Sequence, residues 1–185
     1  MPASEFAAVL VRARTGDADA FACLFRSHQP LLLRYVRGLG AADVAEDVAA
    51  ETWMAVVRGL GDFDGEEREF RAWLVTVARN RLVDLRRAQA RRPVVPVADL
   101  PDGPPGETDA AEDVVSREGT RWALALVATL PPDQAEAVLL RVVVGLDTAE
   151  VAEVMGRTSG AVRVLTHRGL RTLQARLDAP APSQV

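Results

Sequence analysis

Hydrophobic positions recur along this chain at the three-to-four-residue spacing of amphipathic helices, and no stretch alternates convincingly like a half-buried strand. The pattern predicts helices over Glu5 to Ala13, Ala18 to Leu39 with a bend near Pro30, Val44 to Arg58, and Glu67 to Gln89. A second group follows over Ala111 to Ala128, Asp133 to Val144, Ala149 to Met155, and Gly160 to Leu177. Thr15-Gly16-Asp17 is a stop-and-cap signal, as is Gly38-Leu39-Gly40 before Asp43, and Pro131-Pro132 marks another boundary. Between the two groups, Arg91 to Asp113 carries Pro93, Pro96, Pro101, Pro104 and Pro105 with acids among them, too long for an ordinary loop in a compact domain. The expected fold class is therefore all-α, with two small helical domains joined by a proline-rich acidic linker.

The apolar stripes assign inward faces. Over Val44 to Arg58 they place Val44, Val48, Trp53 or Met54, and Val57 inside, leaving Glu46, Asp47 and Glu51 as an exposed negative strip. Such a strip is unsuited to DNA but able to meet a basic protein surface. Over Phe70 to Arg87 the stripe is Phe70, Trp73 or Leu74, Val77 or Ala78, and Leu85, with Arg71, Arg79, Asn80, Asp84 and Arg87 away from its centre. Arginines hold phosphates and asparagine pairs with base edges, so this face suits nucleic acid.

Residues Gly145 to Arg171 carry the most specific local signals. Asp147 is positioned to cap a helix, with Glu150 three residues on to complete a capping box. Val151, Ala152 and Met155 give that helix an apolar side, and Gly156 falls where a left-handed residue ends it. Thr158 or Ser159 then caps a second helix with Val162, Leu165 and Gly169 or Leu170 at helical spacing. This is the pattern of a helix-turn-helix, and every ionisable residue from Arg157 to Arg176 is basic: Arg157, Arg163, His167, Arg168, Arg171 and Arg176.

Net charge is −4, and its distribution matters more than its sum. Arg79 to Arg92 holds six arginines and one acid, whereas Asp99 to Glu118 holds seven acids and one arginine. Two basic stretches flanking an acidic one fit a protein that meets nucleic acid locally. Every cationic chain is arginine, with no lysine. Cys23 is the single cysteine, so no internal disulfide forms, and in its setting of Phe21, Leu24 and Phe25 it is read as a small core residue. The N-terminus lacks a secretory pattern and no apolar run is long enough to span a bilayer, so a cytoplasmic location is expected. His28 and His167 lie far apart, Cys23 has no evident partner, and no phosphate loop or metal-ligand spacing appears, so neither an enzyme, a cofactor nor a metal site is expected. His28, near Pro30, is read as a surface or helix-bend residue.

The run F-R-x-W-L-x-x-V-A-R-N-x-x-x-D-x-x-R-R from Phe70, preceded by A-E-D-V-x-x-E-T and followed by a linker and helix-turn-helix, resembles bacterial extracytoplasmic-function (ECF) sigma factors. The resemblance covers roughly Ala20 to Arg92 and Ala123 to Leu177. It implies a protein that binds core RNA polymerase and directs promoter-specific initiation by recognising −35 and −10 elements and helping to open the DNA. Residues 1–92 would form region 2, 93–113 a flexible acidic linker, 114–178 region 4, and 179–185 a tail. Glu46, Asp47, Glu51 and Thr52 match the helix that docks on the polymerase β′ clamp helices, and region 4 would meet the β flap. Asp62 to Glu69, with Phe63, matches the loop capturing an unstacked −10 base. Trp73, Arg79, Asn80 and Asp84, with Arg87, match the helix lining the melted strand. Arg157, Thr158, Ser159, Arg163, Val164, His167 and Arg168 match positions facing the −35 major groove. An anti-sigma partner is also implied. Val164-Leu165-Thr166 departs from the more polar triplet usual in that recognition helix.

A free-standing helix-turn-helix regulator is the competing reading. The second nucleic-acid-suited helix and the long acidic linker argue against it. So does the lack of any evident dimerisation helix, since such regulators usually bind as dimers.

Overall fold

In the computed structural model the described residues are 2–91 and 114–178, and among them every regular element is helical. The linker expected at 93–113 and the tail expected at 179–185 lie outside the described residues.

Four α-helices build the N-terminal module: α1 (Ala3–Arg14), α2 (Ala18–Gly38), α3 (Ala45–Gly59) and α4 (Glu67–Arg91). A single 3-10 turn, Leu60–Asp62, follows α3. Asp17 starts α2 by accepting the Ala20 N–H at 3.0 Å, which together with Arg12 holds its carboxyl below the usual range. The helix then runs unbroken through exposed Pro30. Gly40 turns the chain with φ of 75°.

The inward face of α3 keeps the expected Val48, settles the Trp53-or-Met54 alternative on Trp53, and excludes the expected Val57. Ala45, Val48, Ala49, Thr52, Trp53 and Val56 are buried, while Met54 is 59% and Val57 54% exposed. Trp53 takes the inward place because its ring lies among Phe21, Phe25 and Phe70 and its indole N–H donates to Gln29 at 2.7 Å. Val56 follows Ala49 and Thr52 at helical spacing on the buried side, and Val57 lies at its edge, on the surface.

His28 corrects the reading as a surface residue: it is 2% exposed. Its ring packs edge-on between Phe6 and Phe70, at 6.2 and 5.0 Å, and Nδ1 lies 2.9 Å from the Leu24 carbonyl. Burial lowers its pKa below the ordinary histidine value. The neighbouring Cys23 is half-buried.

The C-terminal module holds α5 (Val114–Ala128), α6 (Pro132–Val138), α7 (Thr148–Met155) and α8 (Ser159–Leu177). Pro132 opens α6 at a position whose N–H would have no helical partner in any case. The single helix expected over Asp133 to Val144 becomes α6 followed by a π-helical stretch, Leu139–Val143. That wider turn ends at Gly145, φ 77°, and Arg141 donates to the Leu146 carbonyl across the bend. Helix α6 packs closely on α8 because Gly169 has no side chain; a Cβ there would lie 2.7 Å from Val138 Cγ2.

The two modules share one hydrophobic cluster, from Phe6, Leu24 and Tyr35 through Leu74 and Ala78 to Leu139, Leu140, Val151 and Val162. Contacts of α2 with α5 and the π-helical stretch, and of α4 with α7, join them. A smaller cluster of Leu130, Ala135 and Val138 lies within the C-terminal module.

Candidate nucleic-acid interface

The helix-turn-helix is built by backbone-directed polar groups at each joint. Asp147 accepts from the Ala149 and Glu150 N–H groups at 2.8 and 3.0 Å, and Glu150 accepts the Asp147 N–H at 2.7 Å. These amide hydrogen bonds, that of Glu150 first, hold the Asp147 carboxyl below its usual range. Gly156 ends α7 at φ 62°, ψ 40°, the left-handed conformation that a Cβ disfavours. Thr158 then caps α8, accepting from Ala161 N–H at 3.2 Å. Val162 and Gly169 bury the inner side of α8. Thr158, Arg163, Val164, His167 and Arg168 are exposed and Ser159 is half-exposed, so the expected −35 residues share one accessible surface. Arg157, at its edge, forms an exposed 2.7 Å ion pair with Asp133. A major groove admits such a helix, and guanidinium groups there can reach guanine or phosphate.

The second face lies along α4. Residues 73, 80, 84 and 87 follow at helical intervals, so Trp73, Asn80, Asp84 and Arg87 align along one side. Asn80, Asp84 and Arg87 are exposed, the last two 3.9 Å apart as an ion pair. Phe63 and Trp73 are half-buried and stack on each other at 5.1 Å with rings 10° from parallel. Both also meet Phe70 edge-on, so they form the upper rim of the core with one flank accessible. Asp62 is exposed on the preceding turn. Gly65 permits the tight return into α4: a Cβ there would sit 2.7 Å from Glu69 Oε2 and 3.0 Å from Phe63. Glu69 in turn accepts the Glu66 N–H at 2.7 Å. Arg79 stands apart from its expected companions. It is half-buried, and its Nε donates to Glu136 of α6 at 2.6 Å, a pairing that holds the guanidinium still more firmly protonated.

A third surface, on α3, is acidic and apolar together. Glu46, Asp47 and Glu51 are exposed; Glu46 pairs with Arg37 at 2.8 Å and Glu51 lies 3.9 Å from Arg81. Exposed Met54 and Val57 extend this surface, although the apolar stripe alone puts Val57 in the core. The small buried residues Ala45, Ala49 and Thr52, in register with Val56, are the signal that finds them. Thr52 does not join the surface: it is fully buried, and its hydroxyl donates to the Val48 carbonyl at 2.7 Å. Among the described residues no cluster of metal-ligating side chains occurs, and no helix is long and apolar enough to cross a membrane.

Two helical modules, one bearing a helix-turn-helix with a basic exposed row and the other a second polar helix beside an acidic strip, have the architecture of a protein that meets nucleic acid at more than one place. The family models Sigma-70 region 2 and Sigma-70, region 4 match residues 24–92 and 120–173. The chain is 36% identical to the ECF RNA polymerase sigma factor ShbA of Streptomyces griseus, over 91% of this chain and 93% of that one. It is 37% identical to the ECF RNA polymerase sigma factor BldN of Streptomyces coelicolor, over 88% of this chain but 62% of BldN's length. CnrH, a sigma factor of Cupriavidus metallidurans solved in complex with the cytosolic domain of CnrY, superposes with a TM-score of 0.64 at 27% identity, covering 94% of this chain and 97% of CnrH. The chain belongs to the ECF sigma factors of bacterial RNA polymerase, which act in promoter-directed transcription initiation.

Proposed function

We propose that the three surfaces divide the initiation task among themselves. Residues 1–92 act as region 2, whose α3 surface of Glu46, Asp47 and Glu51, widened by Met54 and Val57, docks on the β′ clamp helices. Thr52 supports that surface from inside. Asp62, Phe63, Trp73, Arg79, Asn80, Asp84 and Arg87 receive the −10 element, with the Phe63–Trp73 stack as the platform for an unstacked base. Aromatic stacking worth about 1–3 kcal/mol per base offsets much of the cost of unstacking it. Residues 114–178 act as region 4, placing Arg157, Thr158, Ser159, Arg163, Val164, His167 and Arg168 in the −35 major groove while meeting the β flap. Residues 93–113 link the two and 179–185 form a tail. The factor works in the bacterial cytoplasm, without catalysis of its own, and an anti-sigma protein restrains it. CnrH, solved in complex with the cytosolic domain of CnrY, is a similar chain held by a protein partner.

The observation that carries this reading is the accessible row on α8, presented by a helix-turn-helix whose joints are all capped. The test is transcription in vitro from a genomic promoter library with core polymerase, with and without the protein. Discrete new start sites that need both components are the expected result. Arg163→Ala weakens use of those promoters by about 1–3 kcal/mol if it is a bidentate base contact. Glu51→Arg impairs core association in a folded protein. Tight duplex binding by the protein alone, with no polymerase-dependent transcripts, would favour a free-standing regulator instead.

A further inference from the structure

Arg79, a member of the −10 row, is engaged by a group that belongs to the other module. Glu136 on α6 is 8% exposed; its Oε1 accepts from Arg79 Nε at 2.6 Å and from the fully buried Tyr35 hydroxyl at 3.2 Å. A second pair lies at the start of α4, where Arg68 Nε meets Glu150 Oε1 at 2.7 Å and Arg68 Nη2 lies 3.9 Å from Asp147. Between the two pairs, Trp73 and Thr76 of α4 face Glu150, Glu153 and Val154 of α7 across a groove. Three carboxylates of region 4 therefore pair with guanidinium groups at both ends of this stretch of α4. Carboxylates and phosphates offer arginine the same acceptor chemistry.

We propose that this acidic edge of region 4 is an intramolecular occupant of the −10 face, a strand mimic that single-stranded DNA must displace. Glu136 is the central latch: it joins Arg79 to Tyr35, and releasing it frees the guanidinium for a phosphate. The packing beneath is equally specific. Gly38, at the end of α2, lets region 4 approach so closely that a Cβ would lie 2.5 Å from Leu139 Cδ2 and 3.2 Å from Leu124 Cδ2. Leu139 is fully buried, so it has little room to yield. The closed arrangement also brings α4 and α7 into contact, whereas a −10 and a −35 element lie about two turns of duplex apart, at roughly 34–36 Å per turn. Opening is thus a precondition of promoter binding. The competition rests on the assignment of Arg79 to the −10 strand; the latch itself does not.

The test compares the full chain with Glu136→Gln and Gly38→Leu. Gly38→Leu obstructs docking without changing any charge, so it separates opening from the loss of an acid. Small-angle scattering reports the separation of the modules. Fluorescence anisotropy reports binding of a single-stranded DNA pool of about 16 randomised nucleotides, enough to cover one such site. Both variants are expected to be more extended than the parent and to bind the pool at least about fivefold more tightly, because the competent state is no longer a minor one. Arg79→Ala added to Gly38→Leu is expected to stay extended and lose the gain. Variants as compact as the parent would overturn the latch. Extended variants that bind the pool no better than the parent, including the case in which none binds, would overturn the competition. An extended double variant that keeps the gain would overturn the assignment of Arg79 while leaving the latch standing.

Discussion

The two regions reach stability by different routes. Region 2 is organised around aromatic rings: Phe6, His28, Trp53, Phe63 and Trp73 all lie within 6.5 Å of the Phe70 ring, centroid to centroid. Region 4 has two such rings, Trp122 and His167, and both are exposed. Its helices close through small and aliphatic residues, Ala135 and Val138 against a glycine on α8, and its turns are set by Asp147, Gly156 and Thr158. One region is therefore held by large rings in tertiary contact, the other by local backbone signals and close helix approach. On the proposed division of labour, region 2 carries the base-binding and polymerase-docking surfaces on this aromatic centre. Region 4 has to present one helix at a fixed angle, and the cap residues set that angle.

The sharpest break of the comparison is at the aromatic centre. Phe70 is fully buried, so Phe70→Ala removes the ring that the others share and leaves a cavity. A loss of about 3–5 kcal/mol is expected, measured as a shift in the urea midpoint at constant m-value. A loss below about 1 kcal/mol would mean that the cluster repacks and that the rings are no more decisive than the aliphatic residues of region 4. Losing Phe70 should also weaken −10 recognition, because Phe63 and Trp73 rest on it.

The counterpart in region 4 is Gly156. Nothing lies within 4 Å of the position its Cβ would take, so Gly156→Ala meets no steric obstacle from neighbours. Its cost is the left-handed backbone alone, about 1–2 kcal/mol. Asparagine, which tolerates that conformation better, should recover part of the loss. If alanine were neutral in thermal unfolding, the turn would owe its shape to packing, and the contrast between the regions would weaken.

This contrast explains what could be read from the sequence. The capping box at Asp147, the stop at Gly156, the cap at Thr158 and the exposed row on α8 were legible because each is a local requirement of the backbone. The helical fold was legible from spacing. In region 2 the same spacing left Trp53 and Met54 undecided, placed Val57 inside, and kept His28 at the surface. Those positions are decided by which rings meet across helices, and a single stripe does not encode that. Thr52 looked polar and available, yet its hydroxyl satisfies itself on the Val48 carbonyl, which lets it be buried. The pairing of Arg79 with Glu136 was equally out of reach, since the partners lie 57 positions apart on different modules.

The smallest predicted effect probes the aromatic centre through its one titratable ring. His28 is buried between Phe6 and Phe70; Glu67 lies 3.6 Å from its Nε2, Leu24 provides the carbonyl at Nδ1, and Arg71 adds a repelling charge. Desolvation is the largest influence and lowers the pKa below 6.5, outweighing the attraction of Glu67. The unfolded chain therefore binds a proton at a higher pH than the folded one. Folding stability from this group is complete above about pH 6.5 and declines as the pH falls from there through the depressed folded value, with no further change below it. The lowered carboxyls of Asp17 and Asp147 act in the same direction but in a separate window, as the pH falls below 3.8. A thermal melt series from about pH 7.5 to about pH 5, which spans the ordinary histidine value, should show the midpoint falling in the parent. In His28→Gln, which keeps a polar group near the Leu24 carbonyl but cannot take up the proton, the series should be flat over that range. An equal slope in both proteins would place the acid sensitivity elsewhere. It would also mean that the ring takes up its proton as readily in the folded chain as in the unfolded one, and that the centre of region 2 tolerates charge better than its packing implies.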